Sequence, residues 1–111
     1  MTDKYIVWLT PHAEESLEDI AMYIAIDLKE PDIAIKYIKR LKEEIETLSN
    51  MPNRIKLVDI EPWRSQGVHQ MTAERFYVYF WIDETNGIVS ITDIIAIKRD
   101  QKKALKKMSM Q

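Results

Sequence analysis

The longest apolar pattern in the chain lies between Arg75 and Asp100 and reads RFYVYFWIDETNGIVSITDIIAIKRD. Its first part, Phe76 to Ile82, alternates between two faces as a strand does, and Ile88 to Ile97 is a second apolar strand. Asn86-Gly87 between them predicts a hairpin with a type I′ turn, because both residues tolerate positive φ. A hairpin this apolar predicts the centre of a sheet. Its exit carries two cations, Lys98 and Arg99.

The N-terminal half has helical periodicity. Tyr5–Leu9 predicts a short strand, and Thr10-Pro11 supplies an N-cap and a first helical residue. Pro31 opens a second helix, which ends at Asn50 to Asn53. The two helices should pack as an antiparallel hairpin. Their apolar faces contain Ala13, Leu17, Ile20, Ala21, Ile24 and Leu28 in the first helix, and Ala34, Tyr37, Ile38, Leu41, Ile45 and Leu48 in the second.

The remaining segments complete the predicted order. Residues 54–66 are irregular, with a short strand at Ile55–Val58, and Gly67 to Thr72 predicts another strand. A short Lys-rich helix is expected from about Asp100 to Met108. The order β-α-α-β-β-β-α predicts an α+β fold with a mainly antiparallel sheet and the helices on one face. We expect one domain over residues 1–111, since this length supports one core.

Composition and charge narrow the function classes. The chain has no cysteine, its first residues do not resemble a signal peptide, and no apolar run could span a membrane, so we expect a cytoplasmic protein. The formal net charge of −2 is unevenly distributed. Residues 11–50 have ten Asp or Glu against five Lys or Arg, whereas residues 98–111 have six Lys or Arg against one Asp. A polyanion should therefore approach the C-terminal end, although these lysines also suit a solvated helix end.

Candidate chemistry is confined to the C-terminal half. We expect no metal or other cofactor, because His12 and His69 lie far apart in sequence and His12 is interpreted as a surface residue. What remains is a basic and aromatic set that could act on RNA through cations, proton transfer and base stacking. The period-two aromatic face is more often core packing. The set consists of Arg54, Arg64, His69, Arg75, Tyr77, Tyr79, Trp81, Lys98 and Arg99.

Five segments are informative together and in order: LTPHAEESLEDIAMYI, LSNMPNR, EPWRSQGVHQM, FYVYFWID and IAIKRD. They resemble the RelE/ParE superfamily of type II toxin–antitoxin toxins, also described as plasmid stabilisation proteins. The resemblance implies a small antiparallel sheet with a helical hairpin. It also implies an antitoxin that wraps around the toxin, and either a homodimer or a toxin–antitoxin hetero-oligomer.

The resemblance leaves three functions open. The RelE-like branch is a metal-independent endoribonuclease that cleaves mRNA on the ribosome and so inhibits translation. The catalytic residues would then be Arg64, His69, Tyr77 and Arg99, of which Tyr77 stands where these toxins often have Arg. The ParE-like branch instead inhibits DNA gyrase without catalysis. A third possibility is an inactive member that only binds antitoxin. The nuclease is the first hypothesis, and an acidic pI of about 5.7 weighs against it.

Overall fold

A computed structural model describes residues 4–111 of the chain. Its strands and helices follow the predicted order, and two 3₁₀ turns, Thr47–Ser49 and Pro52–Arg54, follow the second helix. The elements are β1 (Ile6–Leu9), α1 (Pro11–Met22), a π-helical turn (Tyr23–Asp27), α2 (Pro31–Glu46), β2 (His69–Ala73), β3 (Phe76–Asp83), β4 (Ile88–Ala96) and α3 (Gln101–Leu105).

The four strands form one sheet in the order β1-β4-β3-β2. β1 runs parallel to β4, with Ile6 opposite Ile88, and the other two pairs are antiparallel. A parallel pair needs a crossover connection, and here α1, α2, β2 and β3 all lie between its two strands in sequence. The predicted α+β fold with a mainly antiparallel sheet is confirmed.

Apolar side chains cover the sheet on both faces. The helical hairpin packs on one face, where Leu17 and Leu41 meet Val78, Phe80 and Ile91. The other face is covered by α3 and the segment before β2, which bury a second cluster. The helices are therefore not all on one face, because the short C-terminal helix crosses to the far side. That second cluster contains Val58, Trp63, Val68, Tyr79, Ile95, Ala104 and Leu105.

A β-bulge interrupts the central pair of strands. Tyr79 lies opposite Asp93 and Phe80 lies opposite Ile91, which leaves Thr92 as the extra residue. The extra residue shifts the alternation of β4, so that Ile91 and Ile94 both belong to the core under the hairpin. Strict period-two reading of the sequence could not anticipate this shift.

The tight turn of the sheet is not at Asn86-Gly87. Asp83 pairs with Ile88, so the loop has four residues, and of its residues only Gly87 has positive φ, at 65°. The predicted type I′ turn is wrong, because the Asp83 carboxylate accepts hydrogen bonds from the backbone N–H and side-chain amide of Asn86 and holds a different loop. These bonds lower the pKa of the Asp83 carboxyl.

Other element boundaries also differ from the prediction. The last turn of the first helix widens into the π-helical turn, and the expected strand at Ile55–Val58 is only an isolated bridge between Leu57 and His69. The tight turn joins β2 to β3 through two residues, Glu74 and Arg75, and Glu74 adopts a φ of 55°. Among residues 4–111, no helix has the length and apolar character needed to cross a bilayer.

Candidate functional site

A groove of about 1040 Å³ opens between the helical hairpin and the C-terminal end of β4. One wall is α1 with its π-helical turn and the start of α2. The opposite wall is the end of β4, the residues that follow it, and α3. The groove thus lies where the helical hairpin faces the end of β4. This is the region that the sequence singled out for its cations.

Tyr37 lines the groove and contacts both the β2–β3 turn and the start of β3. Its hydroxyl oxygen accepts a hydrogen bond from the backbone N–H of Arg75 at 3.2 Å, and its ring meets Phe76 edge-on, with 6.1 Å between centroids. The guanidinium carbon of Arg40 lies 5.7 Å from the Tyr37 ring centroid, and Arg40 also pairs with Glu74 at 3.4 Å. These contacts anchor the β2–β3 turn to α2. We call the apolar lining residues of the groove its floor, and they include Ile20, Ile24, Ile33, Phe76 and Ile94.

Four cations, Arg75, Lys98, Arg99 and Lys107, line the groove on the side of the strand exit. The backbone that carries two of them is held by Gln101. The side-chain amide of Gln101 donates to the carbonyl of Ala96 at 2.7 Å and to that of Arg99 at 2.9 Å, while its oxygen accepts from the Tyr79 hydroxyl at 2.8 Å. We call this side the basic wall. Its backbone is preorganised, and its charged ends remain in solvent.

A polar cluster links the α1 wall to β4 and consists of His12 and Ser16 of α1 with Asp93 of β4. The Ser16 hydroxyl donates to Asp93 Oδ1 at 2.6 Å, and His12 Nε2 lies 3.0 Å from Asp93 Oδ2. Asp93 is only 4% exposed, and it also accepts from the backbone N–H of Ile94 at 2.8 Å. His12 is therefore not the surface residue that the sequence suggested, since its side chain is 30% exposed and paired across 81 residues of sequence. Two further carboxylates on this wall are Glu15 and Asp19.

The cluster escaped the sequence reasoning because its members are far apart in the chain. Asp93 lies in an otherwise apolar strand, where an isolated carboxylate must find partners when it is buried. This need for partners was the one sign in the sequence that Asp93 belongs to a polar cluster. It does not reveal the partners, because the β-bulge at Thr92 decides which way Asp93 points.

The four residues expected to catalyse RNA cleavage are not brought together. His69 stacks on Phe80, with 5.0 Å between centroids, and its Nδ1 lies 2.7 Å from the Ile55 carbonyl oxygen, on the hairpin side of the sheet. Tyr77 projects from the other face, edge-on to Tyr79. Arg64 contacts the Val58 carbonyl at 3.3 Å and Asp59 at 3.4 Å in an exposed loop. Of the four, only Arg99 lines the groove.

The sequence of residues 7–101 matches a known protein family. The model of the ParE toxin of the type II toxin–antitoxin system parDE matches residues 7–101. The chain belongs to the ParE toxin family. The match includes the helical hairpin, the sheet and the basic wall as far as Gln101. Membership places the chain within the RelE/ParE superfamily, as the sequence resemblance indicated.

Two solved structures share the fold of this ParE-family toxin. A chain of the chromosomal ParDE toxin–antitoxin system from P. aeruginosa has a TM-score of 0.71 at 21% identity, over 87% of this chain and 100% of that one. A chain of the toxin–antitoxin complex RelBE2 from Mycobacterium tuberculosis has a TM-score of 0.57 at 19% identity, over 84% and 98%. No curated protein sequence matches the chain. At these identities the solved structures establish the fold.

The aromatic residues of this ParE-family toxin serve the core more than its surface. Tyr79 is buried, and its burial raises its pKa, with further contributions from Tyr77 and Asp93. Trp81 donates from Nε1 to the Met110 carbonyl at 3.1 Å, so the C-terminal residues lie over it. Arg54 donates to the carbonyls of Asn50 and Met51, which follow the 3₁₀ turn Thr47–Ser49, and so holds that segment. Residues 4–111 contain no group of three or more His, Cys, Asp or Glu side chains able to hold a metal ion.

Proposed function

We propose that this protein is the toxin of a type II toxin–antitoxin module and acts by binding and inhibiting DNA gyrase, without cleaving RNA. The family match over residues 7–101 supports the toxin assignment. That match favours the ParE-like branch of the superfamily. Resemblance to this branch implies inhibition of DNA gyrase. We therefore prefer the second of the three functions that the sequence left open.

The placement of the expected catalytic residues carries this choice. A general base, a general acid and cationic groups must all reach one phosphate to cleave RNA without a metal ion. His69 and Tyr77 point away from opposite faces of the sheet, and His69 is stacked on a buried ring. Arg64 is tied to its own loop. Such an arrangement suits a protein that acts by binding.

The groove is suited to hold a segment of the antitoxin. Its floor is apolar and its exit side carries Arg75, Lys98, Arg99 and Lys107, so it should accept a segment with apolar side chains on one face and carboxylates beside them. The backbone of the basic wall is fixed by Gln101 before any partner arrives, which reduces the cost of ordering on binding.

A gyrase assay tests the proposal. Purified toxin, added to DNA gyrase and plasmid in the presence of ATP, should inhibit supercoiling and increase double-strand cleavage, and equimolar antitoxin should abolish both effects. Unchanged supercoiling at a large excess of toxin would contradict the proposal. The matched control is the same toxin on translating ribosomes, where mRNA should remain intact.

The variant Arg99→Ala separates this proposal from the nuclease hypothesis. If Arg99 held a scissile phosphate, Arg99→Ala would lose toxicity and keep its antitoxin affinity. If Arg99 belongs to the antitoxin groove, Arg99→Ala should keep gyrase inhibition and bind antitoxin more weakly. Cleaved mRNA on ribosomes, lost in Arg99→Ala, would establish the nuclease. A chain with neither activity would be the antitoxin-binding, inactive member.

A further inference from the structure

The tip of the helical hairpin has an unusual backbone. The Leu28 N–H donates to the Tyr23 carbonyl at 3.2 Å and so closes a π-helical turn, and Lys29 ends it at a φ of 56°. A π-helical turn and a left-handed lysine are both uncommon, and such features occur frequently at functional sites. These features make the tip a candidate binding surface.

Large apolar side chains are exposed at this tip. Met22 is 57% exposed and Ile26 is 59% exposed, and together with Glu18, Asp19 and Asp27 they border a shallow depression. Met22, Ile26 and Asp27 do not line the groove, whereas Asp19 borders both the groove and the depression. We call these five residues the outer patch. Exposed apolar side chains grouped in this way, with a polar rim, mark interaction sites.

The rim of the outer patch is acidic. From residue 18 to residue 32 the sequence has five Asp or Glu residues and one Lys. The carboxylates of Glu18, Asp19, Asp27, Glu30 and Asp32 are exposed, and within residues 4–111 none of them forms an ion pair. The charge is opposite in sign to that of the basic wall. The basic wall should therefore favour an acidic partner, and the outer patch a basic partner.

We infer that the outer patch is the surface through which the toxin contacts its target, and that its occupant is a Lys- and Arg-rich surface of DNA gyrase with an apolar centre. This inference rests on the proposed function. An enzyme that handles DNA neutralises phosphates with Lys and Arg side chains, so it presents basic surfaces that an acidic rim complements. Met22 and Ile26 would form the apolar centre of the contact. The carboxylates would orient the partner and speed association.

Variants of exposed residues test this surface with little effect on folding. The double variant Met22→Ser/Ile26→Ser removes the apolar centre, and Asp27→Lys reverses a rim charge. Matched controls make the same changes elsewhere: Ile6→Ser on β1, where Ile6 is 67% exposed, and Glu46→Lys at the end of α2. Gyrase affinity, antitoxin affinity, thermal unfolding and growth arrest on induction are measured for each variant.

Changes to the outer patch should reduce gyrase binding selectively. Both outer-patch variants should bind gyrase about tenfold more weakly or worse, lose growth arrest, and keep antitoxin affinity and melting temperature. The controls should behave as the parent does. Parent-like gyrase inhibition by both outer-patch variants would overturn the inference and leave the proposed function standing. If the parent itself leaves gyrase unaffected, the proposed function fails, and the choice of gyrase as occupant fails with it.

Discussion

Asp93 shows how one buried carboxylate can set the geometry of a binding groove. It accepts hydrogen bonds from Ser16 and from the Ile94 N–H, and it pairs with His12, so it fastens the start of α1 to the bulge in β4. A carboxylate that is 4% exposed is stable only when its oxygens have partners. Removing it should therefore weaken the wall of the groove and the fold together.

We expect Asp93→Ala to lower the free energy of unfolding by about 3 kcal/mol, since it leaves buried hydrogen-bonding groups without an acceptor. Asp93→Asn, which keeps an oxygen near Ser16, should cost less. Urea unfolding at neutral pH measures both, with Asp59→Ala as an exposed control. An Asp93→Ala protein as stable as the parent would exclude this fastening role.

Tyr79 should make the free energy of unfolding depend on pH in the alkaline range. Burial raises its pKa, so the folded chain holds the phenol proton more tightly than the unfolded chain, in which the pKa is about 10. The stability from this group is complete below about pH 10 and is lost as the pH rises above it. Tyr79→Phe should flatten the fall of the urea midpoint at alkaline pH, whereas Tyr23→Phe, at an exposed site, should not. Equal slopes for Tyr79→Phe and the parent would contradict the assignment.

At the scale of elements, the hydrophobic pattern predicted most of the fold because burial decides it. The two helices and the central strands occur where apolar residues repeat at helical or strand spacing, and Thr10 caps α1 as expected, accepting from the Ala13 N–H at 3.1 Å. Local departures were not predictable in the same way. The bulge at Thr92 and the π-helical turn at Tyr23–Asp27 depend on tertiary packing and leave no periodic signal.

The loop between β3 and β4 gives a test at this scale. Gly87 has a φ of 65°, and no atom lies within 4 Å of the place where a Cβ would be. Gly87→Ala should therefore lower the free energy of unfolding by about 1 kcal/mol, through backbone strain alone. Thr85→Ala in the same loop is the control, and thermal unfolding is the measurement. An unchanged Gly87→Ala protein would mean that the loop does not need this conformation.

At the scale of the whole molecule, the toxin carries a basic wall beside the strand exit and an acidic patch at the tip of its helical hairpin. The groove with its basic wall and the acidic outer patch share only Asp19 among the residues named for each. The sequence predicted the cationic exit at Lys98 and Arg99 but not the groove, because the hairpin that forms the opposite wall is distant in the chain. Of the expected catalytic residues, His69 and Tyr77 lie on opposite faces of the sheet, which a linear sequence cannot reveal.

Charge reversal on the basic wall should weaken the antitoxin complex. Lys98→Glu/Arg99→Glu is expected to lower antitoxin affinity about tenfold or more at low salt, mainly through slower association, with a smaller effect at high salt. Lys102→Glu/Lys103→Glu makes the same charge change on exposed residues of α3 that do not line the groove. Surface plasmon resonance over a salt series compares the two, and equal losses would mean that only net charge matters.

The most direct test of the account is tightly induced expression in bacteria, with double-strand DNA breaks and mRNA 5′ ends mapped across the genome in the same culture. We predict growth arrest with new DNA breaks at gyrase sites, an SOS response, and unchanged mRNA ends, all prevented by co-expression of the antitoxin. New mRNA ends at in-frame codon positions, with intact DNA, would contradict the account and establish a ribosome-dependent nuclease.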